Sequence, residues 1–323
     1  MTHVLTFGEP LLVWIPQETG SFSEVTHFQK AAAGAELNVS IGLSRLGHTV
    51  TYLSAVGDDF AGRFLLGKMQ KEHIDTTAVK IDPDHLTGTY FKTKTEQGDP
   101  EVFYMRKTSA ASHLSPDSLA NISASDNDII HLTGITAALS ESCYETSLRI
   151  QDMAWSAANR PFLTFDPNLR LSLWKSEDQM ISRINALAFR SDLVMPGIAE
   201  GRLLTGKSKP EAIADYYFEH GTQKAVIIKN GAQGAYYQTI DGERGDVPGF
   251  FVPQIVDTVG AGDAFAAGVL SALLESLDMQ EAVRRGNAMG ALMIAAPGDN
   301  DALPDRHILQ QFTHTHFTTE ETK

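Results

Sequence analysis

Cysteine is nearly absent from this 323-residue chain: Cys143 is the only one. That excludes an intramolecular disulfide and a cysteine-rich metal centre, and fits a reducing compartment. Positive charge is scarce too. Lys and Arg total 26 against 40 Asp and Glu, a net charge of −14, so a general nucleic-acid binder is not expected. A few local cations can still dominate one pocket. No apolar run reaches the roughly 18 residues of a membrane span, and Met1 to Pro10 lacks a basic segment followed by an apolar run and cleavage site. The expectation is a cytoplasmic protein without membrane or nucleic-acid partners. Familiar nucleotide signatures are missing as well. No G-x-G-x-x-G follows the first strand, no H-R-D or D-F-G of the protein kinases appears, and neither a P-loop motif nor its mechanism is expected.

What is present is an alternation of short apolar runs with longer helical patterns. Val4–Phe7, Val50–Val56, Ile129–Leu132, Phe162–Phe165, Leu193–Met195 and Ala225–Lys229 read as buried strands. Ala35–Leu46, Arg63–Glu72, Glu141–Asn159, Asp178–Arg190 and Pro210–Glu219 read as the helices between them, and two more follow, one to about Ser276 and one over Gln280–Ala296. This order predicts an α/β fold: a mostly parallel sheet covered by helices on both faces, with ligands beyond the carboxyl ends of the strands. Two segments break the alternation. Thr87–Thr95 and Glu101–Arg106 alternate with period two around Gln97-Gly98-Asp99-Pro100, which is hairpin chemistry. Period two places Tyr90 on one face with Lys92, and Tyr104 on one face with Arg106. Leu12–Lys30 is a second irregular, strand-like stretch with a turn at Gly20. Together they would form a small sheet outside the main layer, either a lid over a pocket or a plain edge decoration. The segment after Gln311, with His314, His316 and Glu320, reads as a frayed tail rather than a metal site.

The chemistry is expected at Asp257-Thr258-Val259-Gly260-Ala261-Gly262-Asp263-Ala264-Phe265. Glycines let successive backbone N–H groups converge on an anion, and a helix starting there adds its positive dipole end. A carboxylate in the first turn then stands beside the anion, able to take a proton from an attacking hydroxyl. The alternative is a glycine turn in which Asp263 only complements the dipole. Lys229-Asn230-Gly231-Ala232-Gln233-Gly234 follows a strand and would approach a nucleotide closely, although a hairpin turn needs the same glycines.

These motifs, in this order, resemble the ribokinase-like (PfkB) carbohydrate kinases from Gly8-Glu9-Pro10 to about Pro304. Within that family, Ala33-Gly34-Ala35-Glu36-Leu37-Asn38-Val39, Phe103 to Ala110, His131 to Thr136 and Asp166-Pro167-Asn168-Leu169-Arg170 are similar to the 2-keto-3-deoxygluconate kinases. The resemblance implies one three-layer α/β/α kinase domain over 1–310, a β lid from about 11–32 and 87–108, and a tail over 311–323. It implies ATP and Mg²⁺ as cofactors and allows a monovalent cation such as K⁺ near Asp257, while exposed lid edges would pair across a two-fold axis into a homodimer.

Site roles follow position by position. Asp263 would be the base, with Gly260, Ala261 and Gly262 as backbone donors to the transferred phosphoryl group. Gly34, Asn38 and Asp299 would hold sugar hydroxyls. Tyr90, Tyr104 and Arg106 would reach the sugar from the lid, and Arg170 would lie between sugar and phosphates. Asn168, Lys229, Gly231, Gly234, Thr258 and Asn287 match nucleotide-side positions. Bland readings stand beside these: Asn38 on a helix surface, Arg170 paired with Asp166 or Glu177, Asn287 an ordinary helix polar residue, Asp299 a turn cap. The chain also departs from the family. Ala33 replaces the first of two glycines, and the family's N-x-x-E reads Gly197-Ile198-Ala199-Glu200, leaving Glu200 as a water-mediated Mg²⁺ partner. Ser112 stands where many fructokinases carry an acid. A carboxylated sugar needs cations, which Arg106 and Arg170 would supply. The expected activity is ATP-dependent phosphorylation of a keto-acid sugar at C6, with a neutral-sugar kinase such as fructokinase and a non-catalytic sugar or nucleotide regulator as alternatives.

Overall fold

Continuous apolar strands need cover on both faces, and the chain meets that need with a large sheet between two layers of helices. The computed structural model describes residues 2–93, 101–295 and 300–320. In chain order it contains β1 (His3–Phe7), β2 (Leu11–Pro16), β3 (Phe28–Ala33), α1 (Ala35–Arg45), β4 (Thr49–Gly57), α2 (Phe60–Lys71), β5 (Val79–Asp82), β6 (Thr89–Lys92) and β7 (Val102–Met105). Next come β8 (Ile129–Thr133), α3 (Gly134–Ala137), α4 (Glu141–Ser156), β9 (Phe162–Asp166), α5 (Glu177–Ala188), β10 (Leu193–Val194), α6 (Ile198–Thr205) and α7 (Pro210–His220). The chain continues through β11 (Ala225–Lys229), β12 (Ala235–Thr239), β13 (Arg244–Val247), α8 (Ala261–Leu274), α9 (Met279–Ile294) and α10 (Arg306–Glu320).

Among the described residues, nine strands form the main sheet in the order β13-β12-β11-β10-β9-β8-β1-β4-β5. The pairs from β5 through β11 are parallel, and β12 and β13 add an antiparallel edge. Residues alternate between two cores. Val4, Val50 and Ile227 face Leu37, Leu65, Val269 and Val283 of α1, α2, α8 and α9. Leu5, Ile130 and Ile228 face Ile150, Ile184 and Tyr217 of α4, α5 and α7. Each fully buried aliphatic side chain contributes about 1.5–3 kcal/mol. This is the three-layer architecture expected from the sequence, and the strands and helices expected there all form.

Polar residues appear where these strands end. Glu9 follows β1, Thr133 ends β8, Asp166 ends β9 and Lys229 ends β11. The carboxyl edge of the sheet therefore carries the chemistry, as parallel sheets generally do.

A separate four-stranded sheet, β3-β2-β6-β7, stands beside that edge. Its faces follow period two. Trp14 stacks on Phe91 at 5.9 Å and joins Phe60, with Phe22 and Phe28 against Phe91. On the other face Leu11, Val13, Ala33 and Tyr90 form a small cluster. Tyr90 pairs directly with Tyr104 across β6 and β7, ring centroids 5.2 Å apart. The expected hairpin strands are present; the turn residues Gln97 to Pro100 lie outside the described residues.

Two expectations need correction. Residues beyond 311 do not begin a tail: α10 runs to Glu320, and Phe312 packs on Phe250 at 5.2 Å. Sparse apolar content hid this helix, which is held by that aromatic contact, by buried Leu309 and by Arg306, paired with Glu275 at 2.7 Å and bonded to the Leu46 carbonyl. Gly201-Arg202-Leu203-Leu204-Thr205-Gly206-Lys207-Ser208 does carry the P-loop spelling G-x-x-x-x-G-K-S. It forms no phosphate loop, because Gly201 lies inside α6 and Gly206 is its left-handed C-cap, φ 70°.

Candidate active site

Two cavities meet at the N-terminus of α8. One, of about 380 Å³, lies between the sheet edge and the lid and is lined by Glu9, Gly34, Glu36, Asn38, Tyr90, Tyr104, Arg106, Asp166, Asn168, Arg170, Glu200 and Asp263. The other, of about 620 Å³, lies on the far side of that helix start and is lined by Gly231, Gly234, Phe250, Phe251, Ile255, Phe265, Asn287 and Ile294. Lys229, Thr258 and Gly262 line both.

The shared wall is the glycine turn. Gly260 caps α8 at φ 79°, a left-handed conformation that glycine adopts without strain. The first turn of a helix leaves backbone N–H groups without intrahelical acceptors. Here they belong to Ala261, Gly262 and Asp263, and the Ala261 N–H reaches only the Thr258 carbonyl at 3.4 Å. Asp257 fixes the approach by accepting the Val259 N–H at 3.0 Å.

Asp263 stands in the first turn of α8. Burial, chiefly, and then the Asp166 and Glu36 carboxylates push its pKa up to about 7, against hydrogen bonding from Asn38 and the charge of Lys229. A carboxyl group tuned so near neutrality suits a general base. Two amides aim at it: Asn38 Nδ2 donates at 2.8 Å and Asn168 Nδ2 at 3.4 Å. Asn38 is buried, and its Oδ1 accepts from Asn300 Nδ2 at 3.1 Å. Asn38, expected at sugar hydroxyls, lines the cleft and spends its amide on Asp263. Asn168 holds φ 38°, unusual for a residue with a side chain; it too reaches toward Asp263.

Asp166 and Lys229 form a short ion pair, Nζ to Oδ2 2.6 Å. Burial alone would lower the Lys229 pKa, but Asp166 and Glu200 hold it raised, so the ammonium is kept at the junction of the cavities. Glu200 accepts the Leu169 and Gly197 N–H groups, each at 2.7 Å. Its carboxylate thus holds the 166–170 loop, and its remaining lone pairs could take a hydrated cation. Arg170 is exposed at the cleft and donates to the Leu169 carbonyl at 2.9 Å, in place of the acid partners its alternative reading required.

The lid-side cation is different from its expected form. Arg106 is buried and ion-paired to Glu9, with its guanidinium 5.6 Å from the Tyr104 ring centroid. Its guanidinium thus already faces one carboxylate, while it lines the cleft and its Nε has no hydrogen-bond partner among the described residues. Burial raises the Glu9 pKa, opposed by Arg106 and Ser109. Glu36, in the first turn of α1, is also raised by burial and accepts from the Thr133 and Thr136 hydroxyls. Sequence reasoning passed over Glu9, Glu36, Asp166 and Asn300 as site residues; an acid directly after a buried parallel strand was the available signal for Glu9 and Asp166. Gly34 at φ 132° lets α1 start against the Glu9 carbonyl, which an added Cβ would meet at 2.5 Å.

On the second cavity, Gly231 and Gly234 make the turn from β11 into β12 and also line the wall. Asn287 Nδ2 donates to the Val247 and Pro248 carbonyls at 3.0 and 3.1 Å, fixing the loop that leads to Phe250. Asp299 lies outside the described residues. Among the described residues no group of three or more His, Cys, Asp or Glu could hold a metal, and no helix is long and apolar enough to cross a membrane.

Residues 1–306 match the pfkB family carbohydrate kinases. The chain belongs to this family. This pfkB kinase is 42% identical over 320 residues to a 2-dehydro-3-deoxygluconokinase of Bacillus subtilis (strain 168), covering 99% of this chain and 98% of that one. A probable fructokinase-7 of Arabidopsis thaliana is 32% identical, covering 96% and 92%. A putative ribokinase II from E. coli, solved in complex with ATP and Mg²⁺, superposes with a TM-score of 0.88 at 26% identity, covering 98% and 100%. The chain is a sugar kinase with the ribokinase-like fold.

Proposed function

We propose that this kinase transfers the γ-phosphoryl group of ATP to the C6 hydroxyl of 2-keto-3-deoxygluconate. The observation that carries the reading is the placement of Asp263, with its pKa near 7, beside the backbone donors of Gly260 to Gly262 at the junction of a polar and an apolar cavity. The sugar occupies the polar cleft, and the adenine the apolar one. Asp263 takes the hydroxyl proton as the sugar oxygen bonds to the γ-phosphorus, the bond to the β-phosphate oxygen breaks, and ADP leaves. Gly262 and its neighbours, with Lys229, stabilise the charge on the moving group.

Mg²⁺ requires one or two carboxylates plus phosphate oxygens; Asp166 and, through water, Glu200 fit that donor set. When bound, the ion would neutralise phosphate charge. A monovalent cation near Asp257 would have to share that carboxylate with the Lys92 ammonium, 3.4 Å away.

Arg170 supplies the substrate carboxylate with its cation, since Arg106 is committed to Glu9. Gly34, Tyr90 and Tyr104 contact the sugar. The neutralised Arg106 also favours a second reading, phosphorylation of a neutral ketose such as fructose. Phosphate transfer from MgATP to 2-keto-3-deoxygluconate, fructose, ribose and adenosine separates the two, with ³¹P NMR locating the phosphate. Preference for fructose would overturn the first reading, and ligand binding without turnover would overturn both.

We also propose that the enzyme is cytoplasmic, in keeping with its use of ATP, and pairs through the lid. All four β7 residues, Val102, Phe103, Tyr104 and Met105, are exposed on an edge strand. Sedimentation of Phe103→Lys against the parent chain tests this: the variant should be the smaller species.

A further inference from the structure

Lys92 and Asp257 are 165 residues apart in sequence, on elements with different tasks. Lys92 ends β6, one period-two step beyond Tyr90, and both face the cleft side of the lid. Asp257 opens the turn that delivers the backbone donors of α8. The Lys92 Nζ lies 3.4 Å from Asp257 Oδ2. The other carboxylate oxygen, Oδ1, accepts the Val259 N–H one residue before Gly260. One carboxylate thus joins a lid strand to the anion-binding turn. The turn has another fixed point, since the Val256 N–H donates to the Ile294 carbonyl of α9 at 2.8 Å. That anchor holds the start of the turn to the nucleotide side, and Asp257 ties the next residue to the sugar side.

Lys92 is not among the residues lining the polar cleft. We infer that Lys92 is a positioning residue for phosphoryl transfer: its ion pair with Asp257 couples the lid over the sugar to the geometry of the Gly260–Gly262 anion hole. Preorganised donors contribute because they are already aimed when charge develops. A turn released from the lid must be ordered in each turnover, which lowers kcat while leaving ground-state contacts of both substrates largely alone. The same coupling suppresses ATP hydrolysis without sugar, because an open lid leaves the donors less well aimed.

The inference rests on the kinase reading but not on the identity of the sugar, so it is tested with whichever acceptor the parent enzyme phosphorylates fastest. Lys92→Met and Asp257→Asn are each expected to lower kcat about tenfold to fiftyfold with KM for sugar and ATP changed less than threefold. The double variant should be no slower than the worse single one, the non-additivity of two residues acting as a unit. Lys92→Arg should restore most of the turnover. The ratio of sugar phosphorylation to sugar-independent ATP hydrolysis should fall in Lys92→Met. Unchanged kcat in Lys92→Met, additive losses in the double variant, or a KM effect without a kcat effect would each overturn the inference. A parent enzyme with no acceptor at all would overturn the kinase reading first. Thermal unfolding of each variant separates misfolding from lost positioning: a Lys92→Met variant melting well below the parent is replaced by Lys92→Gln, which keeps a polar, uncharged end on a side chain one atom shorter, and the same kcat loss is required of it.

Discussion

The two cavities flanking α8 are built on opposite principles. The polar cleft is crowded with ionisable groups: Glu9, Glu36, Asp166, Glu200 and Asp263 against Arg106, Arg170 and Lys229. The apolar cavity is walled by Phe250, Phe251, Ile255, Phe265 and Ile294, with backbone at its glycine turn. Only Lys229, Thr258 and Gly262 among the residues named here touch both. The difference teaches where selectivity resides. A flat apolar slot accepts a heterocycle by area, whereas fixed charges that are already paired accept only a ligand able to match them. Acids outnumber bases around the sugar, so raised carboxyl pKa values at Glu9, Glu36 and Asp263 help the cleft tolerate an anionic substrate.

The largest effect expected is at the junction. Asp263→Asn should reduce kcat by about 10²–10⁴-fold, the range for loss of a positioned base, while calorimetry still detects ATP. A companion effect concerns stability. The folded pKa of Asp263 lies above its value in an unfolded chain, so its contribution to stability is fully present below about pH 4 and is lost as pH rises through about 7. The permanently neutral Asn should therefore raise the melting temperature at alkaline pH and change it little in acid. In the parent enzyme kcat/KM should climb about tenfold per pH unit below pH 7 and level off above it, as the base loses its proton. A flat profile from pH 5 to 8 would break the assignment.

Next in size is the Glu9 and Arg106 pair. Removing one partner of a buried ion pair leaves the other uncompensated at a cost of about 3–5 kcal/mol, so Arg106→Met should lower the urea midpoint. Arg170→Ala, at an exposed guanidinium, should leave that midpoint alone and raise KM for the sugar acid about tenfold or more. If Arg106→Met changed sugar affinity alone, the contrast between a structural and a ligand-binding arginine would fail. Asn287→Ala is the mildest of the set. Loss of its bonds to Val247 and Pro248 should cost about 1–3 kcal/mol and raise KM for ATP several-fold without touching the sugar.

The same contrast explains what the sequence disclosed. Gly260 to Asp263, the parallel strands and the lid hairpin were legible because glycine spacing, apolar runs and period two are local patterns. The apolar cavity was not, since Phe250, Phe251 and Ile255 lie in a loop without periodicity and acquire meaning only when β12, β13 and α9 surround them. Arg106 was placed correctly in the cleft, but its pairing with Glu9 is a contact across 97 positions that spacing cannot register. The bonds of Asn38 to Asp263 and to Asn300, 262 residues away, are likewise invisible to local spacing. The helix α10 was missed because its few apolar residues make no continuous stripe, and β12 and β13 because the alternating pattern of a β/α chain hides a late antiparallel edge.

The central claim is that one aspartate at the joint of a polar and an apolar cavity performs the proton transfer. Single-turnover phosphorylation of 2-keto-3-deoxygluconate by MgATP, parent against Asp263→Asn, tests it most directly when sugar and ATP binding are measured on the same samples. The account predicts that phosphate transfer collapses while both ligands still bind. Asp263→Asn retaining most of its transfer rate with binding intact would contradict it.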